Sequence, residues 1–224
     1  MSALEAAVFD MDGLLVDSEP LWRQAMIDVF ARHGVHLSDD LCRTTKGMFV
    51  VDVACHWHER SPWPGPGPAA VAQEIVEAVA DLLARRSELK PGVSHALSFC
   101  RARVPQLALA SSSSSRLIDV VLARFDLARW FDVVHSAESE PAGKPDPAVF
   151  LTTAALLGVS PTACVVLEDS PAGVAAATAA GMGCIAVPEA DEHALVSFAG
   201  AHVVLGSLES LDQGVWRRLE SRVA

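Results

Sequence analysis

From residue 90 to its end, the chain alternates short apolar runs with segments whose apolar residues recur at helical spacing. The runs are shorter than the roughly ten residues that a buried helix needs. Strands and helices that alternate in this way form a parallel sheet with helices on both faces. The runs predict strands at residues 106–110, 131–134, 163–167, 184–187 and 203–205, and the periodic segments predict helices at 93–103, 116–125, 147–157 and 171–180.

A further apolar run at residues 6–9 is separated from this region by a long segment in which only helical patterns occur. Helices are predicted at residues 20–34, 39–58 and 69–86, and the Pro/Gly-rich stretch at 61–68 predicts a stiff loop. Because the first run completes the sheet, the helical segment is an insertion. We therefore predict a Rossmann-like α/β core at residues 1–16 and 89–224, with an inserted all-helical cap domain at 17–88.

Charge and composition limit the partners of the chain. The formal net charge is −11 at pH 7, whereas binding to the phosphate backbone of nucleic acid needs a basic surface. No apolar run approaches the length of a membrane span, and no basic segment followed by an apolar one precedes the first strand. We expect a cytoplasmic protein, a monomer or weak dimer, that binds neither nucleic acid nor membranes.

Acidic residues follow two strands of the predicted sheet. In open parallel sheets, ligands bind at the carboxyl ends of the strands. Asp10 and Asp12 follow the first strand, and Glu168 and Asp169 follow the strand at 163–167. Carboxylates held close together raise each other's pKa unless a cation lies between them, and oxygen ligands suit Mg²⁺. A solvated turn and an acidic helix cap are the structural alternatives for the two pairs.

Two further loops at the same edge carry groups that suit a phosphate. Ser111 and Ser112 begin a run of five serines after the strand at 106–110, and Lys144 stands before a Pro-Asp-Pro helix start. A hydroxyl and the backbone N–H groups of a helix N-terminus hold phosphoryl oxygens well. A lysine facing the acids offsets negative charge and favours an ionised Asp10. A carboxylate in that setting is a candidate nucleophile toward phosphorus, and Asp12 is a candidate general acid and base.

Taken together, these motifs resemble the haloacid dehalogenase superfamily over nearly the whole chain, including a helical cap after the first motif. The matching residues are Asp10-Met11-Asp12-Gly13, Ser111, Lys144 within GKPDP, and Glu168-Asp169-Ser170. The resemblance implies that Asp10 is the nucleophile and Asp12 the general acid and base, and that Ser111 and Lys144 hold the phosphoryl group. It also implies Mg²⁺ bound by Asp10, the backbone carbonyl of Asp12, and Asp169, with Glu168 close by.

Within the superfamily, the cap residues bear on the reaction. Dehalogenases lack the second aspartate, so the presence of Asp12 favours a phosphoryl-transfer enzyme. Phosphonatases form a Schiff base with a lysine of the cap, and Lys46 leaves that reaction open as an alternative. The β-phosphoglucomutase branch has a histidine where this chain has Trp22, and an arginine near Gly47. The stretches DGLLVDSEPLW and PWPGP resemble the sugar and hexitol phosphatase branch, which includes 2-deoxyglucose-6-phosphate phosphatase. Trp22, Lys46 and Gly47 are the candidate substrate-facing residues of the cap.

The sequence therefore predicts a phosphoric monoester hydrolase that needs Mg²⁺ and acts on small phosphorylated metabolites, sugars or polyols, through an aspartyl-phosphate. A sugar phosphate mutase is the main alternative. A phospho-acceptor signalling module is a further one, although such modules are about half this length and place the acid pair before the acceptor.

Overall fold

The computed structural model describes residues 4–45, 48–189 and 198–223. In this part of the chain, six parallel strands form one sheet in the order β3-β2-β1-β4-β5-β6. The strands are β1 (Ala6–Phe9), β2 (Gln106–Ser111), β3 (Val133–Ser136), β4 (Cys164–Glu168), β5 (Gly183–Ala186) and β6 (Val203–Val204). Strand β1 lies in the middle, paired with β2 on one side and β4 on the other. The first apolar run therefore completes the sheet, as predicted.

Helices cover both faces of this sheet, which confirms the predicted fold class. Ala7 and Phe9 of β1 pack into one cluster of buried apolar side chains, and Ala6 and Val8 pack into another. The helices are α1 (Glu19–Arg32), α2 (Asp39–Arg43), α3 (Val50–Arg60), α4 (Pro68–Arg86), α5 (Val93–Arg101), α6 (Ser115–Phe125), α7 (Ala148–Leu157), α8 (Pro171–Ala179) and α9 (Gln213–Val223). Among the residues described, none of these helices combines the length and apolar character that a membrane span requires.

The prediction of one helix over residues 39–58 is wrong, because two helices lie there. Helix α2 ends at Arg43 and α3 begins at Val50, with Phe49 in an extended conformation before it. The hydroxyl of Thr44 donates to the carbonyl of Leu41 at 2.6 Å, and side-chain bonds of this kind compete with the helix ladder. The break places Phe49 in a connection rather than on a helix face.

Helices α1 to α4 form the helical insertion, residues 19–86. Helices α1 and α4 run antiparallel, since Arg32 at the end of α1 pairs with Glu74 in the first half of α4, while the residues before α1 and after α4 are hydrogen-bonded to each other. The stretch predicted as a stiff loop joins α3 to α4, as expected, and the indole of Trp63 donates to the carbonyl of Pro66 at 2.8 Å. The helical insertion also contacts the core through α4 and α6, where Arg116 pairs with Glu77 at 3.0 Å.

The chain enters and leaves the helical insertion through two adjacent connections. The N–H of Asp17 donates to the carbonyl of Glu88 at 3.1 Å, and the N–H of Lys90 donates to the carbonyl of Leu15 at 2.9 Å. The connections thus form a short antiparallel pair beside the end of β1. We propose that they mark the boundary between the core and the cap domain.

Candidate active site

The loops after β1 and β4 meet closely at the carboxyl edge of the sheet. Asp10 directly follows β1, and Gly13 makes the turn beyond it with φ +80°. A Cβ atom built at Gly13 would lie 2.0 Å from Oδ2 of Asp169. A side chain is therefore excluded at Gly13 both by its backbone conformation and by the carboxylate of the neighbouring loop. This glycine allows the two acidic loops to approach one another.

Lys144 connects the two acidic loops from a third side. Its Nζ donates to Oδ1 of Asp10 at 2.5 Å and to Oε1 of Glu168 at 2.7 Å. The same Nζ lies 3.4 Å from the carbonyl oxygen of Ala110, near the end of β2. The lysine side chain is only 6% exposed, and both carboxylates are buried. The edge therefore holds a desolvated lysine between two desolvated acids.

Burial dominates the electrostatics of this group. It raises the pKa of Asp10 to about 8, and the nearby charge of Lys144 offsets only part of that rise. For Lys144, burial alone would lower the pKa, but the carboxylates of Asp10 and Glu168 raise it above its usual value. The lysine alone thus leaves more carboxylates than positive charges in a buried site. Such an arrangement favours binding of a further cation.

The acidic residues are placed to receive that cation. Asp10, Glu168 and Asp169 each offer a carboxylate oxygen, and these three atoms lie within 4.8 Å of one another. An all-oxygen donor set of this kind suits a hard divalent ion. Three of the four predicted metal residues are therefore brought together. The side chain of the fourth, Asp12, lies outside this cluster, so a contribution from that residue would come from its backbone.

Glu168 is held in place by the start of α8. Its Oε2 accepts from the backbone N–H of Ser170 at 2.8 Å and from the hydroxyl of the same residue at 2.9 Å. The Ser170 hydroxyl also caps α8 by accepting from the N–H of Gly173. A Cβ atom at Gly173 would lie 1.7 Å from Oε1 of Glu168. Gly173, which the sequence reasoning missed, leaves the space that this carboxylate fills.

The carboxylate of Asp12 contacts a different set of groups. Its Oδ2 accepts from the hydroxyl of Ser113 at 2.7 Å and lies 3.3 Å from the hydroxyl of Ser111. Its Oδ1 lies 3.4 Å from the indole Nε1 of Trp22, in α1 of the helical insertion. Ser113 is buried, whereas the predicted phosphate ligand Ser112 is exposed. Sequence reasoning missed Ser113, because nothing within the five-serine run distinguishes it.

On the cap side, Trp22 is the only predicted residue that can be placed, because Lys46 and Gly47 lie outside the described residues. Trp22 is partly buried and reaches Asp12 from the helical insertion. Met48 and Phe49, which follow Gly47, are exposed apolar residues. In the described residues, the core thus contributes charged side chains to the site, whereas the helical insertion contributes the indole of Trp22.

Comparison with known proteins reveals clear relatives. The profile of haloacid dehalogenase-like hydrolases matches residues 4–181. Hexitol phosphatase B of Escherichia coli (strain K12) is 42% identical over 207 residues, which cover 92% of this chain and 93% of that protein. The phosphorylated carbohydrates phosphatase of Thermotoga maritima is 35% identical over 190 residues, covering 80% of this chain and 82% of that protein. The crystal structure of CbbY from Rhodobacter sphaeroides in complex with phosphate has a TM-score of 0.86 and 28% identity, covering 97% and 99% of the two chains.

Proposed function

The chain belongs to the haloacid dehalogenase-like hydrolases, and from this premise we propose that it is a Mg²⁺-dependent phosphatase of small phosphorylated sugars or polyols. Its phosphatase relatives also confirm the predicted enzyme class, a phosphoric monoester hydrolase. The substrate class follows the names of those relatives. The observation that carries the proposal is the buried group of Asp10, Lys144 and Glu168 beside Asp12, at the carboxyl edge of the sheet.

Asp10 is the nucleophile in this proposal. Its carboxylate attacks phosphorus, the ester P–O bond breaks, and an acyl-phosphate forms. Lys144 holds Oδ1 of Asp10 and thereby fixes the orientation of the carboxylate. Burial raises the pKa of Asp10 more than the charge of Lys144 lowers it, so a further positive charge favours the ionised nucleophile. A bound Mg²⁺, held by Asp10, Glu168 and Asp169, would supply the missing charge and would also neutralise phosphoryl oxygens.

Asp12 transfers the proton. It gives a proton to the oxygen of the departing alcohol and then takes one from the water that hydrolyses the acyl-phosphate. The hydroxyls of Ser111 and Ser113 hold one oxygen of its carboxylate, and the indole of Trp22 approaches the other. These three contacts favour one orientation of the carboxylate, set mainly by the shorter bond from Ser113.

The decisive experiment measures phosphate release from a panel of hexitol, hexose and pentose phosphates with Mg²⁺, for the native protein and for Asp10→Asn. The amide cannot attack phosphorus, so we expect a loss of at least about a thousandfold on every substrate. Circular dichroism serves as the control that the variant is folded. Native-like activity in Asp10→Asn would contradict the aspartyl-phosphate route.

The same assay separates hydrolysis from the mutase alternative. A phosphatase releases one inorganic phosphate for each ester consumed, whereas a mutase converts a sugar 1-phosphate into a 6-phosphate with little free phosphate. A coupled enzymatic assay for the 6-phosphate, run beside the phosphate assay, gives the ratio directly. A ratio dominated by the 6-phosphate would replace the proposed function with the mutase.

A further inference from the structure

An aromatic ring of the helical insertion rests against the backbone of the loop that carries Lys144. A Cβ atom built at Gly143 would lie 2.4 Å from Cζ of Phe49, 2.9 Å from Cε2 and 3.1 Å from Cε1. The outer edge of the ring therefore points at the α-carbon of Gly143. Phe49 immediately precedes α3, and Gly143 immediately precedes the lysine that holds Asp10. The contact thus joins the helical insertion to the loop that carries Lys144.

The backbone does not require glycine at position 143. The φ angle of Gly143 lies outside the left-handed region, unlike that of Gly13 or Gly92. Other residues adopt such a backbone without strain. The space taken by the Phe49 ring is therefore what excludes a side chain at this position. The requirement for glycine at this position therefore comes from the approach of the helical insertion to the core.

We propose that Phe49 against Gly143 is the contact that holds the helical insertion closed over the site. Phe49 is a positioning residue in this proposal, which rests on the proposed function. The contact is apolar, so it closes the site without adding charge beside the cluster of three carboxylates, two of which contact Lys144. Closure of this kind excludes bulk water and strengthens the electrostatic interactions inside.

The proposal makes the two residues interdependent. Gly143→Ala keeps the backbone but places a methyl group where the ring lies, so the helical insertion is pushed away from Lys144. We expect kcat/KM for the best substrate of the panel to fall roughly tenfold, which is typical of directly coupled residues. Phe49→Ala removes the ring and loses the closing contact, with a similar fall. The double variant then behaves like Phe49→Ala alone, because the methyl group no longer meets a ring.

Two matched variants control for general effects. Gly206→Ala adds a methyl group at another glycine whose φ is not left-handed and which has no atom within 4 Å of an added Cβ. Val51→Ala shortens an exposed apolar residue of α3 next to the closing region. Both controls should keep kcat/KM within about twofold of the native value, as is usual for surface substitutions.

A second measurement reports on closure without using activity. Hydrogen–deuterium exchange of the native protein gives the protection of segments 48–60 and 137–147. Gly143→Ala and Phe49→Ala should each speed exchange in both segments, and the double variant should match Phe49→Ala. If the native protein hydrolyses no phosphate ester, the proposed function fails, while this exchange experiment still tests the contact.

Two results would overturn the inference. One is a Gly143→Ala variant with native kcat/KM and native exchange in both segments. The other is a double variant whose losses are the product of the two single losses, since independent sites multiply and coupled ones do not.

Discussion

The core and the helical insertion contribute to the candidate active site in very different ways. On the core side, Lys144 contacts Asp10 and Glu168 at 2.5 and 2.7 Å, and all three side chains are buried. On the side of the helical insertion, Trp22 reaches Asp12 at 3.4 Å, and Phe49 remains 38% exposed. Short ionic contacts thus link the three side chains on the core side. The helical insertion reaches the candidate site itself through a long hydrogen bond and an apolar contact, while its ion pair with the core lies away from the site, between α4 and α6. In the proposed function, the core side therefore supplies closely held charged groups, and the helical insertion supplies weaker contacts.

The largest loss of activity is expected when the positive charge is removed from the core side of the site. In Lys144→Met, the buried carboxylates of Asp10 and Glu168 lose the ammonium group between them, so Asp10 is held less firmly and its ionised form is less favoured. We expect a loss of at least about a hundredfold in kcat, the size found when one charge-stabilising donor is removed. Phosphate release at saturating substrate measures it.

Lys90→Met is the matched control for this loss. Lys90 is more exposed and pairs with Glu189 at 3.5 Å, outside the cluster of acids. Its replacement should leave kcat within about twofold of native, because surface ion pairs contribute little. Equal losses in both lysine variants would show that general charge, rather than the buried contact, carries the effect.

A smaller effect is expected where the two halves meet, at Asp12. Ser113→Ala removes the shorter hydroxyl contact to its carboxylate, the one at 2.7 Å. We expect kcat to fall about tenfold, corresponding to one hydrogen bond. Ser112→Ala, at the exposed neighbour, should change kcat by less than about twofold. Because the two serines are adjacent and chemically identical, a larger loss at Ser112 would reverse the assignment within the serine run.

The smallest effect should come from the helical insertion. Trp22→Phe keeps most of the ring and removes the indole N–H, which lies 3.4 Å from Asp12. At that length the hydrogen bond is weak, so we expect kcat to fall only about threefold with KM nearly unchanged. Trp216→Phe removes an indole donor to Glu220 in α9, far along the chain, and should leave kcat unaffected. A large rise in KM for Trp22→Phe would instead indicate that the ring binds the substrate directly.

The core side of the candidate site was largely predictable from the sequence, because the ends of its strands can be located and placed relative to one another. Apolar runs identify buried strands, and the carboxyl ends of parallel strands meet at one edge. The convergence of Asp10, Lys144, Glu168 and Asp169 on one edge follows from that rule alone. The predicted position of β3 was less accurate, since Phe131 lies before the strand, which begins at Val133.

The cap half was less predictable, because its features depend on contacts between distant segments. One helix was predicted across residues 39–58, and periodicity alone does not reveal that α2 ends at Arg43, where the hydroxyl of Thr44 bonds back to the carbonyl of Leu41. The contact of Phe49 with Gly143 joins residues that lie far apart in sequence. Burial within the serine run likewise follows from how β2 meets Asp12, which local sequence does not encode.

The paired connections at Asp17 and Glu88 have a consequence for how the sheet assembles. Strands β1 and β2 are neighbours although about a hundred residues separate Ala6 from Gln106, and closing so long a loop carries an entropic cost that grows with its length. Antiparallel packing of α1 on α4 brings the two ends of the helical insertion together. Once those helices have formed, only the short segments that link them to β1 and β2 must still be ordered before the two strands can pair. We therefore expect the pairing of β1 with β2 to form about as readily as a contact between residues much closer in sequence, with the helical insertion keeping the two strands near each other during folding.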